Sequence, residues 1–119
     1  MVKILIVDDD PKIRKIYRKL LTEEDYSVLE AGSWEEITGV LLKDKEIDII
    51  LLDLDMPVVD GTAWFDLMRL YVPRAKVLVA SVYSLEDQKR LIDDADGYFD
   101  KAQGTEALLS KLKEVLNGK

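Results

Sequence analysis

The chain contains no cysteine and no histidine. The first absence excludes disulfides, thiol catalysis and cysteine-ligated zinc; the second excludes imidazole general-base work and histidine metal sites. Chemistry is left to carboxylates, hydroxyls, lysines and the backbone. No apolar run approaches the roughly 20 residues that span a bilayer. Met1 leads directly into "VKILIV", which is short and lacks the basic region and small-residue cleavage site of a signal peptide. The expected place is therefore the cytoplasm, away from a membrane. A formal net charge of −7 argues against nucleic acid as a direct partner, because phosphate backbones need clustered Lys and Arg. A hard divalent cation suits such a chain better.

What is present is ordinary for a folded domain. Of 119 residues, 48% are hydrophobic and 34% charged, which fits a single domain over 1–119 with one sizeable core. Strand-like runs occur at "VKILIV" (2–7), "SVLEA" (27–31), "IDIILLD" (47–53), "AKVLVA" (75–80) and "GYFD" (97–100). The first, third and fourth are nearly continuous apolar segments, as expected of parallel strands buried on both faces. Helical periods lie between them: Ile13, Ile16, Tyr17, Leu20 and Leu21; Trp64, Leu67, Met68 and Tyr71; Leu108, Leu109, Leu112, Val115 and Leu116. Asp10 before Pro11 reads as an N-cap and first helical position. Ser33 with Glu36, and Ser84 with Asp87, fit the capping-box spacing. Gly39 weakens the second helix by about 1 kcal/mol relative to Ala.

Alternating β and α units imply a parallel sheet with helices on both faces. Right-handed crossovers bring every strand's carboxyl end to one edge. The common doubly wound order for five units is 2-1-3-4-5, with its switch point between strands 1 and 3. Strand 1 delivers Asp8, Asp9 and Asp10 to that edge, and strand 3 delivers Asp53 followed by Asp55. Strand 4 ends in Ser81 and strand 5 runs to Lys101. Asp8, Asp9 and Asp53 are thus expected to converge. Two carboxylates about 5 Å apart repel by roughly 3 kcal/mol at an effective dielectric near 20, so the cluster calls for an ammonium and a dication. Magnesium takes one or two carboxylates and recruits a phosphate oxygen, which points to phosphoryl chemistry with an aspartate as acceptor. Taken singly, Asp10 is a helix cap, Ser81 a strand-end hydroxyl and Lys101 a solvated lysine; their joint placement on strand ends carries the inference. A calcium-binding EF-hand is excluded, since its sixth position counted from Asp53 is Val58 rather than Gly. A nucleotide cradle is disfavoured by "DDDP" after strand 1.

The segments "ILIVDDD" (4–10), "DIILLDLDMPVVDG" (48–61), "VLVAS" (77–81) and "ADGYFDK" (95–101) together resemble the receiver domain of two-component response regulators, end to end. The resemblance implies a flavodoxin-like (βα)5 fold. It implies that Asp53 is phosphorylated by a sensor histidine kinase or a histidine phosphotransfer protein. Asp8, Asp9, Asp53 and the backbone carbonyl of Asp55 would organise Mg²⁺ or Mn²⁺. Ser81 and Lys101 would contact the phosphoryl group, and Ser81 with Tyr98 would form the switch that alters the helix 4–strand 5–helix 5 surface for a downstream protein. Asp55 and Tyr83 would flank the phosphoryl group and tune its lifetime, the chain acting as a monomer or as a phosphorylation-dependent dimer. Such a protein is a regulator rather than an enzyme, apart from catalysing its own phosphoryl transfer and slow autodephosphorylation.

The sequence departs from the family in having Ala102 after Lys101, where the family has a proline joined by a cis peptide. Two other functions use some of the same residues. "LLDLDMPVVD" also resembles the Asp-x-Asp motif of haloacid dehalogenase-type phosphatases, but there the motif ends the first strand, and here it ends the third with the acid pair before it. A receiver-like interaction module that is never phosphorylated would not need the complete set of site residues.

Overall fold

Ile4 to Val7 and Ile49 to Leu52 are each at most 2% exposed. Strands with no polar face can persist only where helices cover the sheet on both sides. The computed structural model describes residues 1–54 and 61–118, and only the backbone for 61–64. Five strands, β1 (Lys3–Val7), β2 (Ser27–Ala31), β3 (Ile49–Asp53), β4 (Lys76–Ser81) and β5 (Gly97–Asp100), form one parallel sheet in the order β2-β1-β3-β4-β5. Between and after them run α1 (Pro11–Glu23), α2 (Trp34–Lys43), α3 (Gly61–Tyr71), α4 (Leu85–Leu91) and α5 (Thr105–Leu116). The expected doubly wound, flavodoxin-like order is the observed one. Among the described residues, no helix is long and apolar enough to cross a membrane.

Alternation along the strands sorts the core into two layers. Leu5, Val7, Ile50, Leu52, Val77 and Val79 pack with Ile37 and Leu41 of α2 and Phe65 and Met68 of α3. Ile4, Ile6, Ile49, Leu51, Leu78 and Ala80 pack with Tyr17 and Leu21 of α1 and Leu108, Leu112 and Val115 of α5. The edge strands β2 and β5 are only partly covered, which is why "SVLEA" and "GYFD" read less apolar than the central runs. β3 begins two residues later than its apolar run suggests. Asp48 is spent on the strand's entry, its N–H donating to the Lys3 carbonyl at 2.9 Å and its Oδ2 accepting from the Lys3 N–H at 2.8 Å.

The caps are made largely as the spacing indicates. Asp10 Oδ1 accepts from the Lys12 N–H at 2.9 Å, Ser33 from the Glu36 N–H at 3.2 Å, and Ser84 from the Asp87 N–H at 3.2 Å. The reciprocal half of the capping box is displaced, because Glu36 Oε1 accepts from the Gly32 N–H at 2.6 Å instead of from Ser33. Two glycines give a paired prediction. A Cβ on Gly39 would meet nothing within 4 Å, whereas one on Gly97 would lie 2.7 Å from Val115 Cγ2 and 3.2 Å from Leu78 Cδ1. Gly39→Ala is expected to stabilise by about 0.5–1 kcal/mol. Gly97→Ala is expected to cost about 1–3 kcal/mol through overpacking. Thermal melts of the two variants should shift in opposite directions.

Candidate functional site

Parallel pairing of β1 with β3, and of β3 with β4, puts the strand ends side by side: Val7 opposite Leu52, and Asp53 opposite Ala80. The residue after β1 is Asp8 and the last of β3 is Asp53, and both are buried, at 3% and 4% exposure. Asp9 is exposed at the mouth. A carboxylate oxygen from each of Asp8, Asp9 and Asp53 lies within 4.8 Å of the others. The convergence expected from strand order is present.

Lys101 supplies the cation. Its Nζ lies 3.2 Å from Asp8 Oδ2 and 3.0 Å from Asp53 Oδ1, with its own side chain 15% exposed. Burial alone would lower the lysine's pKa, but the carboxylates of Asp53 and Asp8 outweigh it and raise the pKa above its ordinary 10.5. The ammonium therefore stays charged at neutral pH. Ala102 does not spoil this reach. Among the described residues no peptide bond is cis. Lys101 instead opens a short 3-10 turn, Lys101–Gln103, capped by Asp100, whose Oδ1 accepts from the Ala102 N–H at 2.9 Å. Gly104, at φ +89°, turns the chain from there into α5.

Asp8 is held on every side. Its N–H donates to the Ala31 carbonyl at 3.1 Å, its Oδ1 accepts from the Asp10 N–H at 2.9 Å, and its carbonyl accepts from Arg14 Nη1 at 2.6 Å. Ser81 is fully buried at the end of β4, and its Oγ accepts from the Tyr83 N–H at 3.1 Å. Tyr83 itself is 47% exposed. Tyr98 on β5 is half-buried; its hydroxyl donates to the Ile92 carbonyl at 2.5 Å and accepts from the Ala95 N–H at 3.3 Å, which ties it to the α4–β5 connection. Asp55 and the turn at Met56–Pro57 lie outside the described residues.

One residue that sequence reasoning missed is Gln88. It is completely buried, and its Nε2 donates to the Tyr83 and Phe99 carbonyls, each at 2.9 Å, joining α4 to the end of β4 and to β5. Its Oε1 has no partner among the described residues. Its signal was its spacing, four residues before the buried Ile92, which puts a polar residue on the inner face of α4.

Three carboxylates and one ammonium leave a formal charge of −2 among these groups, the complement of one divalent ion. All the candidate donors are hard oxygens, the ligand set that suits Mg²⁺ and Mn²⁺. The pocket can thus hold a dication and, against the lysine, a phosphoryl group.

Comparison with known proteins gives the class. The family model for the response regulator receiver domain matches residues 4–113, and the chain belongs to that family. Its relatives include the transcriptional regulatory protein DegU of Brevibacillus brevis, 33% identical over 98% of this chain and 51% of its own length. Another is the transcriptional regulatory protein YxdJ of Bacillus subtilis, 28% identical over 98% and 51%. The chain thus spans about half the length of the curated relatives it matches. Among solved structures, a CheY-like receiver domain protein from Methanospirillum hungatei superposes with a TM-score of 0.87 at 29% identity, covering 98% of this chain and 94% of that one. The response regulator TrrA of Thermotoga maritima, solved in complex with Mg²⁺-BeF, gives a TM-score of 0.83 at 30% identity, covering 97% and 99%.

Proposed function

We propose that this receiver domain is a phosphorylation-operated switch in which Asp53 accepts a phosphoryl group from a sensor histidine kinase or a histidine phosphotransfer protein. The observation that carries this reading is the Lys101 ammonium seated 3.0 Å from Asp53 and 3.2 Å from Asp8, in a pocket of converging acids. The Asp53 carboxylate attacks phosphorus in line, forming an O–P bond as the P–N bond to the donor imidazole breaks. Asp8, Asp9 and Asp53, with the carbonyl of Asp55, would hold Mg²⁺ or Mn²⁺. The bound ion would neutralise charge on the transferring oxygens. Lys101 exchanges its contact with the Asp53 carboxylate for one with a phosphoryl oxygen. The solved complex of TrrA with Mg²⁺-BeF supports a metal and a phosphoryl-like group together in a related pocket.

The product adds up to about −2 of charge at the end of β3. Ser81 is drawn toward it and gives up the Tyr83 N–H; Tyr98 follows, and the surface of α4, β5 and α5 changes for a downstream protein. Asp55 and Tyr83 would tune how long the phosphoryl group survives. The domain acts in the cytoplasm as a regulator, as a monomer or as a dimer formed on phosphorylation.

Incubation of the chain with Mg²⁺ and a small phosphodonor should add the mass of one phosphoryl group, and chelation of the metal should prevent it. Uptake of none, from a small donor or from a kinase, would favour a receiver-like module that is never phosphorylated. Sustained release of phosphate from diverse monoesters would favour the phosphatase reading.

A further inference from the structure

Asp9 is the least anchored member of the acidic trio: it is exposed and sits on the turn between β1 and α1. What aims it is the Asp8–Asp9 peptide, whose oxygen is the Asp8 carbonyl. That oxygen accepts from Arg14 Nη1 at 2.6 Å. The same guanidinium is held from behind, with Nε donating to Glu30 Oε1 at 3.2 Å, while Arg18 Nη1 donates to Glu30 Oε2 at 2.6 Å. Gly32 makes the seat, since a Cβ there would fall 2.3 Å from Arg14 Nη1 and 2.9 Å from Cζ. A cation so close to a metal pocket would ordinarily oppose a dication. Glu30 offsets that charge and leaves the directional hydrogen bond.

We infer that Arg14 is a positioning residue of the metal pocket: seated on Gly32 and paired with Glu30, it fixes the Asp8–Asp9 peptide and so aims the Asp9 carboxylate. The inference rests on the reading of this pocket as a Mg²⁺ site. Geometry and simple charge predict opposite signs. Removal of a positive charge beside the pocket should tighten Mg²⁺ binding by Coulomb's law alone. Loss of an outer-shell partner that orients a ligand weakens metal affinity by roughly 10–100-fold. Arg14→Lys keeps the charge but loses the planar fork that spans Asp8 and Glu30. Gly32→Ala keeps both charge and arginine and pushes the guanidinium off its seat.

The test is calorimetric titration with Mg²⁺ of the intact chain and of Arg14→Ala, Arg14→Lys and Gly32→Ala, with a thermal melt of each. The expected result is a Kd raised about tenfold or more in Arg14→Ala and clearly raised in the other two. Arg14→Lys and Gly32→Ala carry the test if Arg14→Ala does not fold. A lowered Tm with an unchanged or smaller Kd would overturn the inference and reduce Arg14 to a structural brace. No saturable Mg²⁺ binding by the unsubstituted chain would instead overturn the metal reading of the pocket, and the inference with it.

Discussion

Asp53→Asn is expected to abolish phosphoryl uptake completely while leaving the fold in place. The carboxamide has the shape of the carboxylate but no anionic oxygen to attack phosphorus, so the effect is loss rather than slowing. The fold survives because Asp53 is held by the ladder, with its register opposite Ala80, more than by its side chain. The substitution removes one partner of Lys101, but Asp8 remains at 3.2 Å to pair the ammonium. It also lowers the mutual repulsion of the acids, so the two changes oppose each other in stability. Intact mass after incubation with Mg²⁺ and a small phosphodonor, read beside a thermal melt, separates the outcomes. Uptake equal to that of the unsubstituted chain would move the acceptor elsewhere.

Lys101→Met is expected to have the largest effect on stability in metal-free buffer. It strips the ammonium from two carboxylates that are 3% and 4% exposed. Breaking a buried pair by removing one partner costs about 3–5 kcal/mol, because the remaining charge is left uncompensated. Here two such charges face each other, with Asp9 nearby. Mg²⁺ should restore much of the loss, since a dication takes over the role of the missing cation, and by linkage a ligand at about 100 times its Kd contributes roughly 2.7 kcal/mol. The unsubstituted chain should gain less from the metal. The pH dependence has a definite sign. The Lys101 pKa is raised in the folded state, so its stabilisation is fully present below the ordinary value of 10.5 and is lost as pH rises through the raised one. The stability difference between the two proteins, from denaturant titrations, should therefore stay flat across the neutral range on this residue's account and narrow only in alkali. A variant as stable as the parent without metal would contradict the balance of charges described.

The parts of this fold written in single elements were legible in the sequence. Continuous apolar runs marked β1, β3 and β4, and Asp10, Ser33 and Ser84 marked helix starts that the structure closes with hydrogen bonds. Strand order then brought Asp8, Asp9 and Asp53 together, residues that no local pattern connects. Less legible was whatever depends on reach across elements. Nothing in the spacing of α1 says that Arg14, between Ile13 and Tyr17, turns back to a carbonyl six positions earlier. Gln88 reads as one more polar residue on a charged helix until its amide is seen joining two carbonyls in the interior. The start of β3 at Ile49 is set by pairing with Ile4 and Lys76, and hydrophobicity, which continues back to the buried Ile47, does not report it. For Tyr98, an aromatic three residues before the lysine is visible in the sequence; its partner in the structure, the Ile92 carbonyl, lies just past the end of α4 and could not be read from spacing.

The most direct test is to locate the phosphoryl group. An aspartyl phosphate is an acyl phosphate, which borohydride reduces to an alcohol, converting the modified aspartate to homoserine. After incubation with Mg²⁺ and a small phosphodonor, reduction and peptide mass spectrometry should place that change at position 53 and at no other aspartate. Homoserine at Asp9 or Asp55 instead, or no reducible acyl phosphate in a chain shown to bind Mg²⁺, would contradict the assignment of Asp53 as the acceptor.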